Sequence, residues 1–369
     1  MIGVFRKLLI FTILPLIAIG ILLVETVDLK SEILKGSILG VFINDKQQQS
    51  WIINKKVEEA NSYLTHRPLP VSSIEMEGRL DKDPLKIKSI NNLKDVWKVY
   101  ALNFTYYWTN DEKYLDKSTE FLLSWANNYS SEGNPIDDSH LEPMIVSYPW
   151  IRDSLEDQDR AVIDSWLVSI YTRNYSNTEV SLRFDNWNSH RVNIMGQIAF
   201  AIEDPYKIQS VITEFNLHLE NNLNPDGSTV DFNTRDSLHY HIYDLTPLLS
   251  LAKTAKLNKF DLYSYTTSKG ANLNTSVNFL IPYVNGKKMH KEYVNSNVTW
   301  DKFSAKSGQP QSQIGRMFKP NEGLQIMELY HFFNPKILPL IQSLRANYAI
   351  YPSFEVLLNT LETSVITNN

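Results

Sequence analysis

Five side chains that can move protons or hold an anion fall within a nine-residue stretch: Arg235, His239, Tyr240, His241 and Tyr243. An arginine supplies a fixed cation, histidines and tyrosines carry protons, and their rings offer flat faces to a sugar. Together they suit an anionic saccharide, although a buried polar helix stitched by hydrogen bonds would use the same residue types. A second group reads Phe184-Asp185-Asn186-Trp187-Asn188-Ser189-His190-Arg191 and opens an apolar run through Val192, Ile194, Met195, Ile198 and Ile202. A helix beginning there presents free backbone amides and a positive dipole end. An asparagine and a histidine at that point can bind a carboxylate and offset its charge. The alternative makes Asn186 or Asn188 the helix cap and His190 a core residue.

Other chemistries find less support. His239 and His241 are two apart, the wrong spacing for two ligands on one helical face, and no HExxH pattern occurs. The chain has no GxSxG elbow and no glycine-rich phosphate loop. It has no cysteine, which removes thiolate nucleophiles, disulfides and thiolate metal sites. No metal and no cofactor is expected. Asp185, Asp226, Asp231 and Asp236 lie near the two clusters and keep a glycosidase carboxylate pair open. A net charge of -5 argues against a general nucleic-acid binder, so an anionic ligand needs a local basic pocket.

The elements that must position these residues read as helices. Leu238, Ile242, Leu245 and Leu249 form one apolar stripe at helical spacing, within a predicted helix Asp236–Lys256 that Pro247 should kink or end. Thr229, Val230 and Phe232, after the Pro225-Asp226-Gly227 turn, suit an extended piece. Further helices are predicted at Ser50–Leu64, from Asn92 to near Trp108, and over Leu141–Leu155, Asp157–Tyr171, Trp187–Ile202, Pro205–Leu223, Asn272–Pro282 and Leu324–Leu344. Asn110 is read as the cap of another helix, which carries Tyr114, Phe121 and Trp125. Repeated antiparallel pairs of this length suggest an all-α ring of helical hairpins.

The N-terminal part has its own character. Leu8 to Val24 is apolar except for Thr12 and follows Arg6 and Lys7, which reads as a signal anchor or signal peptide with the rest of the chain outside the cytoplasm. The expected organisation is a short cytoplasmic N-terminus at 1–7, the anchor at 8–24, a tether at 25–49 and one helical domain at 50–369. Residues 66–90 hold Arg67, Arg79, Lys82, Lys86 and Lys88 among prolines and a glycine. A mobile basic lid over an acidic substrate is one reading, a solvated connector the other.

These residues carry a family resemblance. Asn188-Ser189-His190 before an apolar helix resembles the Asn-Asn-His helix start of the alginate lyases. Asp226-Gly227-Ser228, Arg235 and the run Leu238-His239-Tyr240-His241-Ile242-Tyr243-Asp244-Leu245-Thr246-Pro247-Leu248 resemble their Asp-Gly … Arg … Tyr-His-x-Tyr-x-Leu-x-Pro-Leu segment. Phe279 to Tyr283 with Gly286-Lys287, and Tyr114 with Leu122 to Ala126, are similar to two further family stretches. The resemblance spans roughly residues 60 to 305. It implies an (α/α) toroid and metal-independent β-elimination of a uronate polymer such as alginate. Tyr240 then takes the place of the catalytic tyrosine, with His190, Arg235 and Asn188 around the substrate carboxylate. Ser189 stands where the family has asparagine, which shifts the amide role to Asn188. Trp187, His239, His241, Tyr243 and Arg67 are the candidates for contact with the sugar.

β-Elimination removes a weakly acidic proton at C5 beside the carboxylate, so the site must stabilise the developing enolate. A nearby cation favours phenolate and would make Tyr240 a competent base. Two other readings stay open: a non-catalytic polysaccharide-binding protein on the same scaffold, and a glycoside hydrolase on a similar toroid. The expected partners are an anionic polysaccharide and, through the N-terminal segment, a membrane. The expected setting is the periplasmic or extracellular face.

Overall fold

A computed structural model describes residues 46–346 and 353–368. The apolar run at 8–24 and most of the expected tether lie outside that range. Among the described residues no helix is long and apolar enough to cross a membrane. Apart from isolated bridges of Leu223 with Thr229 and of Lys291 with Met317, no β pairing occurs among them.

The helices form a closed ring. In chain order they are α1 (Lys46–Tyr63), α2 (Pro84–Asn92), α3 (Lys94–Thr109), α4 (Glu112–Asn128), α5 (Glu142–Ser147), α6 (Asp157–Tyr175), α7 (Asn186–Ala201), α8 (Pro205–Asn222), α9 (Val230–Arg235), α10 (Leu238–Leu257), α11 (Leu273–Val284), α12 (Thr299–Lys306), α13 (Leu324–Tyr330), α14 (Leu338–Leu344) and α15 (Phe354–Asn368). The inner wall runs from α1 to α3, α5, α7, α10, α13 and α15, and α15 returns to α1. Helices α4, α6 and α8 pack outside it. The C-terminal helices, which the sequence left unplaced, therefore close the ring. Its interior is a cavity of about 980 Å³ with walls from every inner helix, including Lys56, Tyr100, Glu142, Gln197, Ser250, Glu328 and Glu355.

Local chemistry explains where the helices start and stop. Asp83, Asp111, Asp185, Asp204, Thr229, Ser237 and Asn272 each accept a backbone amide of the first turn that follows. Asn110 is not the cap of α4. It ends α3 in a left-handed conformation at φ 60°, and Asp111 does the capping. The helix predicted over Leu141–Leu155 is instead α5 with short 3-10 turns beside it. Pro149 has no amide to continue the α-helical hydrogen bonds, and the chain tightens into 3-10 turns there. Pro335 divides the predicted helix Leu324–Leu344 in the same way. Residues 230–232 are not extended but open α9. Asp236, at φ 50°, separates α9 from α10. Pro247 does not end α10, which continues to Leu257.

Helix α7 is buried along its whole length except at Trp187. Gly196 lets it approach its neighbours. A Cβ there would lie 2.3 Å from Leu251 Cδ1 on α10 and 3.0 Å from Val211 Cγ1 on α8. Leu251 and Val211 are themselves fully buried and have no room to retreat. Gly196→Ala should therefore destabilise by about 1–3 kcal/mol through overpacking, against a gain of up to ~1 kcal/mol in helix propensity. Urea unfolding checks this. A midpoint at or above that of the wild type would show that the two helices can separate freely.

Candidate active site

Helical periodicity carries a polar stripe along the inside of the ring. On α10, Thr246, Ser250, Lys253, Thr254 and Leu257 face the cavity, and Tyr243 stands one turn before them. On α7 the corresponding row is His190, Asn193 and Gln197. Gln197 reaches the cavity, and Asn193 donates to Glu142 Oε2 at 2.8 Å. The catalytic candidates gather where the two rows meet. The rings of His190 and Tyr243 lie 4.4 Å apart, Tyr243 and Tyr240 6.1 Å, and His239 stacks parallel to Tyr243 at 6.4 Å.

Arg235 binds this group from above. Its guanidinium sits 3.7 Å from the centroid of the Tyr240 ring. Two carboxylates hold it there: Asp231 Oδ1 accepts from Nε at 3.1 Å and Asp301 Oδ1 from Nη1 at 2.6 Å. Asp231 is fixed in turn by the backbone amide and side-chain amide of Asn186, at 2.6 and 2.9 Å. Arg235 thus reaches Tyr240 with its charge already matched. Burial pushes the Tyr240 phenol up to about 12. Arg235 opposes that shift, while Asp301, Asp231 and Glu77 add to it. The cation thus favours phenolate as expected, but burial, the largest cause, outweighs it.

His190 is the unsatisfied group. It is buried, and among the described residues neither ring nitrogen has a hydrogen-bond partner. Burial lowers its pKa to about 3, with nearby His140 acting in the same direction and the Tyr243 main chain opposing. Pro247 contributes here: it has no amide to give the Tyr243 carbonyl four residues back, and the Tyr243 main chain acts on the imidazole. A buried histidine whose nitrogens lack side-chain partners is costly unless a ligand completes it.

Residues 66–83 cover one side of the cluster. Asp137 Oδ1 accepts the backbone amides of Met76 and Glu77 at 2.9 and 2.8 Å, and Gln311 reaches Asp81 Oδ2 at 3.2 Å. Burial raises the Asp137 carboxyl to about 6. It also raises the Tyr243 phenol, and Tyr240, Asp137 and Glu77 add to that effect. Two of the loop's basic residues are paired within it. Arg79 pairs with Glu75 and with Asp83, the latter at 3.1 Å, and Lys86 pairs with Asp81 at 2.9 Å. The group the loop brings to the tyrosines is Glu77, an acid.

Three proposed site residues, Asn188, His241 and Arg67, are placed differently from the expectation. Asn188 turns away from His190, with Nδ2 3.2 Å from His218 Nδ1 and Oδ1 accepting from Arg191 at 3.2 Å. Ser189 is committed to His218, at 2.6 Å, and to Asp244. His241 is fully buried between Thr229 Oγ1, at 3.2 Å, and the Ser276 carbonyl, at 3.1 Å, and serves packing. Arg67 is exposed, close in sequence to Leu69, whose amide binds Asp95 on the outer side of α3. Trp187 is half-buried at the rim, with the Arg183 guanidinium 4.7 Å over its ring. The amides at the start of α7 are not free for a substrate carboxylate either: Asp185 takes that of Trp187 and Asp231 takes that of Asn186. Sequence reasoning missed Asp301, Glu292, Tyr293 and Glu77. Glu292 accepts the Ser237 hydroxyl at 2.6 Å and the amides of Leu238 and His239, which pins the start of α10. Tyr293 packs its ring 6.2 Å from that of Tyr240.

With this geometry in hand, comparison with known proteins is direct. The family model described as alginate lyase matches residues 44–290. An alginate lyase from Bacteroides ovatus has the same fold with a TM-score of 0.65, at 17% identity over 92% of this chain and 98% of that one. Alginate lyase A1-III from Sphingomonas species A1 gives 0.53, at 18% identity over 79% and 92%. A histidine-to-alanine variant of A1-III complexed with a tetrasaccharide gives 0.58, at 18% identity over 84% and 87%. No curated protein matches. The closed helical ring and the family match define a polysaccharide lyase of the toroid class. The chain belongs to the alginate lyase family.

Proposed function

We propose that this protein cleaves a uronate-containing polysaccharide by metal-independent β-elimination, with Tyr240 as both base and acid. The observation that carries the reading is the stack of Arg235 on Tyr240, near a buried histidine, His190, whose ring nitrogens have no hydrogen-bond partner among the described residues. In this scheme the substrate carboxylate enters beside His190 and reverses the effect of burial, since an opposite charge favours the imidazolium. The imidazolium and Arg235 then stabilise the enolate as the C5 proton leaves. Tyr240 takes that proton and returns one to the C4 oxygen as the C4–O bond breaks. His239, Tyr243 and Trp187 position the sugar. Asn188 keeps an indirect part, through the His218 and Arg191 contacts that hold the turn before His190.

The test is ultraviolet absorbance from the unsaturated uronate on mixing with uronate polymers. A base with its phenol near 12 is mostly protonated at neutral pH, and its phenolate fraction rises about tenfold per pH unit. At saturating substrate, where the bound carboxylate keeps His190 charged, turnover should therefore climb from pH 7 to 9. A profile falling across that range would remove Tyr240 as the base. Binding without any absorbance gain would favour a polysaccharide-binding protein, a reading that the raised phenol and the internally bonded Ser189 support. The apolar run at 8–24 motivates an anchored, outward-facing location, for which protease added to spheroplasts should digest the body of the chain.

A further inference from the structure

The charge around the candidate site does not match a polymer with a carboxylate on every sugar. Each guanidinium near the tyrosines has an acid of its own. Arg235 lies between Asp231 and Asp301, Arg183 pairs with Asp185 at 2.6 Å, and Arg316 pairs with both oxygens of Glu322 at 2.8 and 2.9 Å. Two further carboxyls meet at the loop: Asp137 Oδ1 accepts the neutral backbone amides of Met76 and Glu77 at 2.9 and 2.8 Å, and Asp137 and Glu77 both act to raise the Tyr243 phenol. The ring interior repeats the pattern. Lys253 bonds to Glu355 at 3.0 Å and Glu362 at 2.9 Å, Lys56 to Glu59 at 2.7 Å, and Arg345 to Glu328. The rest of its wall adds the acids Glu142 and Asp153 to rings and neutral groups such as Trp97, Trp150, Gln197 and Thr246.

A homopolyuronate brings one negative charge per sugar into every subsite it occupies. Each charge must be stripped of water and needs a cation with charge to spare. Among the described residues the His190 nitrogens are unbonded and can meet a carboxylate, while the guanidiniums around the site are already paired and the adjoining surface carries acids, rings and neutral hydrogen-bonding groups. Aromatic faces and neutral polar groups are what uncharged sugars require. On the lyase reading above, we propose that the substrate is a heteropolysaccharide in which a single uronate is flanked by neutral sugars. Glu77 selects against a second carboxylate next to the one that reacts. The reaction is unchanged: the C5–H and C4–O bonds of the uronate break, the C4=C5 double bond forms, and the neutral sugar leaves with a proton on its oxygen.

The experiment compares polymannuronate and polyguluronate with hyaluronan and deacylated gellan, in each of which one glucuronate stands between neutral sugars. Absorbance gain gives the rates for the full-length protein. The rate at low substrate on at least one heteropolymer should exceed that on both homopolymers by about tenfold or more. Glu77→Gln should raise the homopolymer-to-heteropolymer ratio by roughly tenfold, because it removes one like charge and keeps the shape. Binding of a mannuronate tetrasaccharide to Tyr240→Phe should tighten or hold steady as salt increases, since screening relieves repulsion. Faster turnover of a homopolymer, an unchanged ratio in Glu77→Gln, or tetrasaccharide binding that weakens steeply with salt would each overturn the inference. No absorbance gain from any polymer would instead remove the lyase reading, and this inference with it.

Discussion

Tyr240→Phe should fold as the wild type does and lose at least about a thousandfold in turnover, as the loss of both proton roles implies. The substitution removes one oxygen and keeps the ring that Arg235 and Tyr293 pack against. Tyr240 is half-buried and packs by its ring, so loss of the hydroxyl should cost little stability. Stability and activity therefore separate, and circular dichroism beside the absorbance assay measures both. Tyr243→Phe is the control. Its ring touches His190 and His239, so its hydroxyl is placed to position sugar, and a smaller loss is expected. Retention of more than a tenth of wild-type turnover in Tyr240→Phe would assign the proton transfer to another group, and His190 would be the first to examine.

Most of the helical scaffold was legible because periodicity and caps are local. Tyr240 and Tyr243 stood out for the same reason: a helix brings residues three and four apart onto neighbouring positions, and Arg235 stood out by its nearness in sequence. The errors also have local causes. On a helix, two residues apart means about 200° of rotation. Asn188 therefore had to face away from His190, and His241 away from His239, which is where the structure puts them. Spacing alone contained that answer. The acids were a different matter. Asp301 meets Arg235 across 66 residues of sequence, and Glu292 reaches Ser237 across 55. No local pattern announces such pairs. The loop at 66–90 misled for a related reason. Its lysines and arginines could be counted, but their pairing with Glu75, Asp81 and Asp83 within the same loop only became visible once it was folded.

Those long-range acids make Arg235 the residue whose loss should cost most in stability. In Arg235→Met the side-chain length is kept and the charge is gone. Asp231 retains two amide donors from Asn186, but Asp301 retains only the Ser296 hydroxyl at 2.6 Å. Both carboxylates are almost fully buried, so the variant leaves uncompensated charge inside the protein. Breaking a buried pair in this way costs about 3–5 kcal/mol. Turnover should fall as well, by at least about a hundredfold, because the cation that opposes the rise of the Tyr240 phenol is lost. The second variant separates the two effects. Asp301→Asn added to Arg235→Met removes the stranded charge, so much of the stability should return while turnover stays low. Chemical denaturation and the absorbance assay on the same samples decide between the outcomes. If Arg235→Met alone unfolded at the wild-type midpoint, the two acids would be finding protons or water with ease, and the arginine would not be the clamp described here. If the double variant recovered turnover along with stability, Arg235 would act only by holding the fold together, and the charge over Tyr240 would have no part in the reaction.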